Sequence, residues 1–175
     1  DNFILNDGEQ TYEGKSVIIA TGKIPRTLNI SGEEEFRGRG VSVCSTCDAP
    51  IFKDKNVAVI GGGNSGFNVA LDVIKYAKKV YILEFFEEMK GDAISKDKLA
   101  QSGIVEFVTN VSVKEIKGTK FVESLIYEDR KTGEDTEIKI DGVFISVGME
   151  AKAGFTAKLV ELNKIGEIVI DKDNN

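Results

Sequence analysis

Residues 57–66 read Val57-Ala58-Val59-Ile60-Gly61-Gly62-Gly63-Asn64-Ser65-Gly66 and are the most informative segment about the architecture. Its four leading apolar residues do not alternate with polar ones, which is typical of a parallel strand covered on both faces. Apolar residues then recur at helical spacing, at Phe67, Ala70, Leu71, Ile74 and Ala77. A second apolar run follows at residues 80–83. Strand, glycine turn, helix and strand within about 30 residues predict a βαβ unit.

The glycines of this turn fit the pattern Gly61-x-Gly63-x-x-Gly66. The first glycine permits a tight turn, the second lets the backbone approach a pyrophosphate, and the third lets the helix pack closely on the strand. The helix N-terminus then faces the phosphate charge. We predict a dinucleotide site formed by Gly61, Gly62, Gly63, Asn64, Ser65 and Gly66. The alternative is a glycine-rich turn without a ligand.

Glu84 ends the second strand of this unit, 18 residues after Gly66. An acidic residue at this position can accept hydrogen bonds from the adenosine ribose hydroxyls, and it would repel a 2′-phosphate. The first basic residue after it is Lys90. The sequence therefore favours NADH over NADPH. The alternative for Glu84 is a solvated carboxylate at the end of a strand.

The flanking sequence predicts more strands on both sides of the unit. Upstream we expect a β-hairpin over residues 3–12, a buried strand at 17–20 and a solvated acidic connection over 31–39. Downstream we expect a strand at 104–108, three antiparallel segments near 113–116, 121–128 and 136–140, and a last strand at 143–147 that ends at Gly148. The predicted fold class is α/β, a Rossmann-like parallel sheet with an antiparallel β-meander.

Composition excludes several classes of protein. The 175 residues are 41 % apolar and 30 % charged, as in a globular protein, and the net charge of −6 argues against nucleic acid as a partner. Two Cys and no His exclude a complete four-ligand His/Cys zinc site within one chain. No apolar run approaches the roughly 20 residues of a membrane span. One close Cys pair fits a reducing compartment, by default the cytoplasm.

That pair, Cys44-Ser45-Thr46-Cys47, is suited to disulfide exchange. Two sulfurs at this spacing can close a small ring and exchange with an incoming disulfide, and their reactivity depends on a lowered thiol pKa. Two alternatives stay open from the residues alone. The cysteines can be half of a zinc site shared between two chains, or incidental buried thiols.

Two segments resemble a known family. Residues 38–48 read Gly38-Arg39-Gly40-Val41-Ser42-Val43-Cys44-Ser45-Thr46-Cys47-Asp48 and look like the active-site segment of low-molecular-weight thioredoxin reductases, in which the glycine fingerprint follows as it does here. Residues 80–90 are similar to the NADH-dependent flavoprotein subunit of alkyl hydroperoxide reductase. The usual thioredoxin reductases carry His-Arg-Arg where this chain has Glu84-Phe85-Phe86.

The resemblance implies a domain organisation. Residues 26–148 would be a pyridine-nucleotide-binding domain inserted into a discontinuous FAD domain, of which 1–25 and 149–175 are parts. Thr21, Gly22 and Gly148 would then lie at strand ends near the cofactors. The glycine fingerprint for FAD would precede Asp1 and a Gly-Asp motif would follow Asn175. FAD is therefore expected in the longer parent and not in this fragment.

The resemblance also implies roles for the dithiol. Cys47 would face the flavin, Cys44 would attack the partner's disulfide, and Asp48 would handle the proton, although Asp48 can also be an ordinary turn residue. The domain would rotate on linkers near Pro25 and Gly148. The partner would be a thioredoxin-like, glutaredoxin-like or peroxiredoxin-system protein disulfide, and a homodimer is expected. A second hypothesis is a module that binds NADH without catalysis.

Overall fold

The computed structural model describes residues 2–170 of a chain that divides into two compact units. The larger unit is Pro25–Met149, and the smaller combines Asp1–Ile24 with Glu150–Asn175. The strands are β1 Phe3–Asn6, β2 Thr11–Gly14, β3 Lys23–Pro25, β4 Val41–Ser42, β5 Asn56–Ile60, β6 Lys79–Leu83, β7 Val105–Val108, β8 Val111–Gly118, β9 Val122–Asp129, β10 Asp135–Lys139, β11 Gly142–Ile145 and β12 Met149–Ala151. The helices are α1 Ser45–Asp48, α2 Asn64–Val73 and α3 Ala93–Gln101, with 3-10 turns at Ala49–Phe52 and Gly154–Thr156.

A five-stranded sheet in the order β4-β11-β5-β6-β7 forms the centre of the larger unit. All of its pairings are parallel, and Ile60 at the end of β5 lies opposite both Leu83 and Ile145. Parallel neighbours need a crossover between them, and α2 supplies it between β5 and β6. The predicted βαβ unit and α/β fold class are confirmed.

Both faces of this sheet are buried, which explains the unbroken apolar run in β5. Ala58 and Ile60 point to one face, where they join a cluster with residues of the β-meander. Val57 and Val59 point to the other face, where they pack with Phe67 and the other buried apolar residues of α2. Successive residues of a strand face opposite sides, so two buried faces require an apolar residue at every position.

The three-stranded antiparallel sheet β10-β9-β8 is the predicted meander. Leu125 in its central strand is fully buried and lies opposite Ile116 of β8 and Ile138 of β10. These residues, with Val143 of β11, belong to the cluster that covers one face of the parallel sheet. The antiparallel pairing predicted for residues 113–140 is therefore confirmed.

The prediction of a solvated connection over residues 31–39 holds for most of the segment but was wrong for Glu33 and Phe36, which are buried. Phe36 is only 2 % exposed, and Glu33 is 4 % exposed. The Glu33 carboxylate accepts hydrogen bonds from the backbone N–H groups of Leu28 and Asn29, at 2.9 and 2.8 Å. Ser31 also bridges to β8. The acidic composition of the segment did not indicate that it packs against the meander. Glu33 can be buried there because its carboxylate has backbone hydrogen-bond partners in place of water.

Helix α3 was not predicted, and α2 ends earlier than its apolar spacing suggested. Asp92 caps α3 by accepting a hydrogen bond from the backbone N–H of Ser95 at 2.8 Å, but Leu99 is the only fully buried residue of this helix. A helix with so narrow an apolar stripe leaves little periodic signal. In α2, Ile74 is already the C-cap, so Ala77 lies beyond the helix.

The smaller unit contains the predicted hairpin, in which β1 pairs with β2 and Phe3 lies opposite Gly14. The strand predicted at residues 17–20 does not form, and Ile18 is 92 % exposed. An apolar run becomes a strand only where neighbouring strands satisfy its backbone, and no strand among residues 2–170 pairs with this run. The longest helix among residues 2–170 is α2 with ten residues, and none of the helices there could span a membrane.

Candidate functional site

Two positions in the turn between β5 and α2, Gly61 and Gly66, require glycine. Gly61 has φ of +114°, and a Cβ there would lie 2.3 Å from the carbonyl oxygen of Ser146. A Cβ at Gly66 would lie 1.8 Å from the carbonyl oxygen of Gly61. Contacts this short are forbidden, so the first glycine lets the strand turn and the third lets α2 pack on the turn.

Gly63 differs because nothing in the protein requires it to lack a side chain. It is the N-cap of α2 with φ of −86°, which any residue adopts, and an added Cβ would meet no atom within 4 Å beyond its chain neighbours. The space in front of the α2 N-terminus is therefore open. The first N–H groups of a helix have no intrahelical acceptors, so they are available to an anion in this space.

Glu84 lies at the end of β6 and is buried, with 7 % of its surface exposed. Its Oε2 accepts a hydrogen bond from the Gly62 N–H at 2.6 Å, and its Oε1 accepts one from the Phe86 N–H at 3.0 Å. The alternative of a solvated carboxylate is therefore excluded. A carboxylate has about four acceptor positions, so each oxygen keeps capacity for a further donor.

A pocket of about 450 Å³ opens at this edge of the sheet. It brings together six of the predicted site residues with four neighbours, and its lining is Gly61, Gly63, Asn64, Ser65, Glu84, Phe85, Phe86, Ser146, Val147 and Gly148. Gly62 and Gly66 lie behind this lining, since Gly62 binds Glu84 and Gly66 packs on Gly61. Thr21 and Gly22 lie in an exposed stretch of the smaller unit.

Arg130 was missed by the sequence reasoning. It follows β9, and its guanidinium lies 3.7 Å from the centroid of the Phe85 ring. Its Nη1 donates to the carbonyl oxygen of Phe85 at 2.9 Å and to Oδ1 of Asn110 at 3.3 Å. Arg130 therefore fastens the loop that follows Glu84 to the meander. No sequence signal joins residues 45 positions apart.

Cys44 and Cys47 form a disulfide with their Cα atoms 5.4 Å apart. Cys44 is the N-cap of α1, and its Sγ accepts a hydrogen bond from the Cys47 N–H at 3.3 Å. Cys47 is exposed and Cys44 is half-buried. Because the sulfurs are bonded to each other, the alternatives of zinc ligands and incidental thiols do not describe this state.

Asp48 is the last residue of α1 and is held by Ser42. The Ser42 hydroxyl donates to Oδ2 of Asp48 at 2.5 Å and accepts from the Cys44 N–H at 3.1 Å. Ser42 is buried in β4, so it fixes the Asp48 carboxylate relative to the backbone of the first cysteine. The arrangement gives the dithiol a carboxylate of fixed orientation close by in the chain.

A parallel sheet with a glycine turn at its pocket lies in the same unit as a disulfide, an arrangement typical of the pyridine nucleotide-disulphide oxidoreductases. Residues 2–175 match the sequence profile of the family described as pyridine nucleotide-disulphide oxidoreductase. The chain belongs to this family.

Curated relatives and solved structures agree with this assignment. The chain is 44 % identical over 163 residues to a subunit of alkyl hydroperoxide reductase in Staphylococcus aureus, a match that covers 93 % of the chain and 32 % of the relative. It is 41 % identical to a protein named NADH dehydrogenase from Bacillus subtilis, over 91 % of the chain and 31 % of that protein. The chain thus spans about a third of the length of these relatives.

Thioredoxin reductases of known structure share the fold. The Lactococcus lactis enzyme superposes with a TM-score of 0.89 at 34 % identity, over 98 % of this chain and 57 % of that chain. The T. acidophilum enzyme superposes with a TM-score of 0.87 at 38 % identity, over 97 % of this chain and 56 % of that chain. The predicted resemblance to thioredoxin reductase and to the alkyl hydroperoxide reductase flavoprotein is confirmed.

Proposed function

We propose that this chain is the NADH-binding part of a FAD-dependent disulfide oxidoreductase. Electrons from NADH would reach the Cys44–Cys47 disulfide and then a protein disulfide. The observation that carries the proposal is the open space at Gly63, in a unit that also holds the disulfide. Gly63 is an N-cap, and Ser, Thr, Asp or Asn would cap α2 at least as well, so folding alone does not require this position to lack a side chain.

The dinucleotide pyrophosphate would lie at the N-terminus of α2, against the backbone of Asn64 and Ser65, which line the pocket. Glu84 would accept hydrogen bonds from the adenosine ribose through the acceptor positions that Gly62 and Phe86 leave unused. The hydrogen bonds from the backbone N–H groups of Gly62 and Phe86 hold the Glu84 carboxylate in one orientation. A 2′-phosphate would meet this fixed negative charge, so we propose NADH as the nucleotide.

We propose that FAD belongs to the longer proteins of the family and is not held by this chain alone. Residues 2–170 contain one glycine turn that leads from a parallel strand into a helix, and the nicotinamide nucleotide would occupy it. Thr21 and Gly22 lie in exposed backbone and do not fit a cofactor site as they stand. In the parent, flavin would relay electrons between nicotinamide and sulfur.

For the dithiol we keep the roles that the family resemblance implies. Cys47 would receive electrons from the flavin, Cys44 would attack the partner's disulfide, and Asp48, fixed by Ser42, would handle the proton. The relatives support a thioredoxin-like or peroxiredoxin-system disulfide as the partner. We propose that the full-length protein is a homodimer in the reducing environment of the cytoplasm. The linkers on which the nucleotide-binding domain would rotate lie near Pro25 and Gly148.

Calorimetric titration of NADH and NADPH into the chain tests the nucleotide assignment. We expect NADH to bind ~10- to 100-fold more tightly, since one hydrogen bond to a charged group contributes about 1.5–3 kcal/mol. Glu84→Gln keeps one acceptor oxygen for Gly62 but removes the charge, so it should narrow the difference. Glu88→Gln removes the same charge from an exposed neighbour and should leave it unchanged. Equal affinities in the unaltered chain would overturn the assignment.

The second candidate function, NADH binding without catalysis, is favoured by the single glycine turn in the described residues. Purification with added FAD followed by desalting separates the two. We expect no flavin absorbance to remain on the chain, and catalysis only in the full-length parent. Retention of about one equivalent of FAD would show that the chain holds its own flavin site.

A further inference from the structure

The active-site turn is tied to α2 by a side-chain hydrogen bond. The Ser45 hydroxyl, next to Cys44, donates to Oδ2 of Asp72 at 3.0 Å, and Ser45 is only 9 % exposed. Asp72 lies in the last turn of α2, and its Oδ1 accepts from Nζ of Lys75 at 2.9 Å. Helix α1 has only four residues, too few to be stable without contacts of this kind.

We propose that Ser45 and Asp72 are positioning residues that favour the disulfide form of the Cys44–Cys47 pair over the dithiol. The pair would then be a stronger reductant than the same turn without the hydrogen bond. The inference rests on the redox role of the pair in the proposed function, but it concerns a thiol–disulfide equilibrium that needs neither nucleotide nor flavin.

The argument is a thermodynamic coupling. The Ser45–Asp72 hydrogen bond is present in the oxidised chain, where the disulfide already fixes the backbone of residues 44–47. In the dithiol that restraint is gone, so the same hydrogen bond must order a freer turn and is weaker. Coupling is reciprocal: a contact that forms more readily in the disulfide stabilises the disulfide by the same factor.

Variants of Ser45 and Lys75 distinguish the effect of the Ser45–Asp72 hydrogen bond from the effect of the charge on Asp72. Its hydrogen bond is the main reason that the pKa of the Asp72 carboxyl lies below its ordinary value, and the Ser45 hydroxyl lowers that pKa further. Ser45→Ala removes the tether and leaves the Asp72 charge in place. Lys75→Ala removes the charge partner and leaves the tether. Only the first should change the thiol–disulfide equilibrium.

The test is equilibration of the full chain in glutathione buffers of defined ratio, with the dithiol fraction measured by thiol alkylation and mass. The reaction is one protein disulfide plus two glutathione thiols giving one protein dithiol plus one glutathione disulfide. We expect Ser45→Ala and Asp72→Ala each to favour the dithiol by about 3- to 10-fold, which corresponds to about 15–30 mV. The double variant should shift no further than either single one.

Thr46→Val is the matched control, because it removes a hydroxyl from the exposed position beside Ser45 and should change the equilibrium less than twofold. Circular dichroism of both redox forms shows whether each variant is folded, and Asp72→Asn, which keeps an acceptor, provides a milder change. An unchanged equilibrium in Ser45→Ala, or a shift in Asp72→Ala alone, would overturn the proposal. Failure of NADH binding would leave this result intact and reject only the proposed function.

Discussion

Replacing Gly63 with Ala should leave the stability of the protein nearly unchanged but weaken the binding of NADH. The added Cβ meets no atom within 4 Å, and φ of −86° suits alanine. Alanine is a poorer N-cap than glycine, but it also restricts the unfolded chain, so the free energy of unfolding should change by only about 0.5 kcal/mol. In the proposed complex, however, the methyl group stands where the pyrophosphate approaches the backbone.

The affinity of Gly63→Ala for NADH should therefore fall, while its free energy of unfolding stays close to that of the unaltered chain. The loss of one hydrogen bond between a backbone N–H and a phosphate is worth about 1.5–3 kcal/mol, so the dissociation constant should rise ~10- to 100-fold. Urea unfolding gives the stability and calorimetry gives the affinity. If Gly63→Ala binds NADH within twofold of the unaltered chain, the pyrophosphate does not lie at this turn.

Gly66→Ala is the companion variant with the opposite expectation. Its Cβ would lie 1.8 Å from the backbone oxygen of Gly61, and a backbone atom cannot rotate away. Helix α2 must shift on the sheet, which should lower the free energy of unfolding by about 3 kcal/mol, near the upper end of overpacking costs. Equal stability of the two alanine variants would contradict the packing described for the turn.

Three further predictions follow from the packing and the charges. Leu99→Ala should destabilise the larger unit by about 2–5 kcal/mol in urea unfolding, because this fully buried side chain joins α3 to the core; a loss below 1 kcal/mol would contradict that packing. Arg130→Met should weaken NADH binding several-fold by releasing the Phe85 loop, whereas Lys131→Met should not, as calorimetry will show. Because the pKa of Asp72 is lowered in the folded chain, its ionised carboxylate contributes stability above about pH 4, and this contribution is lost as the pH falls further. Asp72→Asn lacks the carboxylate. Its free energy of unfolding should therefore decline less than that of the unaltered chain between pH 6 and pH 3.

The sequence predicted the elements whose burial leaves a local pattern. The apolar run 57–60 indicated β5 because both faces of the sheet are covered, and the three glycines indicated the turn because two of them permit contacts that a Cβ forbids. The meander was predictable from turns between apolar segments. In each case the sequence pattern lies within about ten residues, although the contacts that explain it include distant ones, such as that of Gly61 with Ser146.

The rest depended on contacts between distant parts of the chain. Arg130 reaches Phe85 only because the meander folds over the sheet, and the exposed stretch at 17–20 lacks the strand neighbours that its composition suggested. Phe36 is buried although three acidic residues precede it in the sequence. The orientation of Glu84 toward Gly62 likewise follows from sheet register and not from the local sequence.

The two ends of the larger unit meet. The N–H of Arg26 donates to the carbonyl oxygen of Gly148 at 3.0 Å, and both residues belong to this unit. A unit whose entry and exit lie one hydrogen bond apart can be spliced into a surface loop of another protein without stretching the host, and the entropic cost to the host loop is small. Pro25–Met149 therefore has the geometry of an insertable domain, which would bring its pocket and its disulfide into a new host protein together.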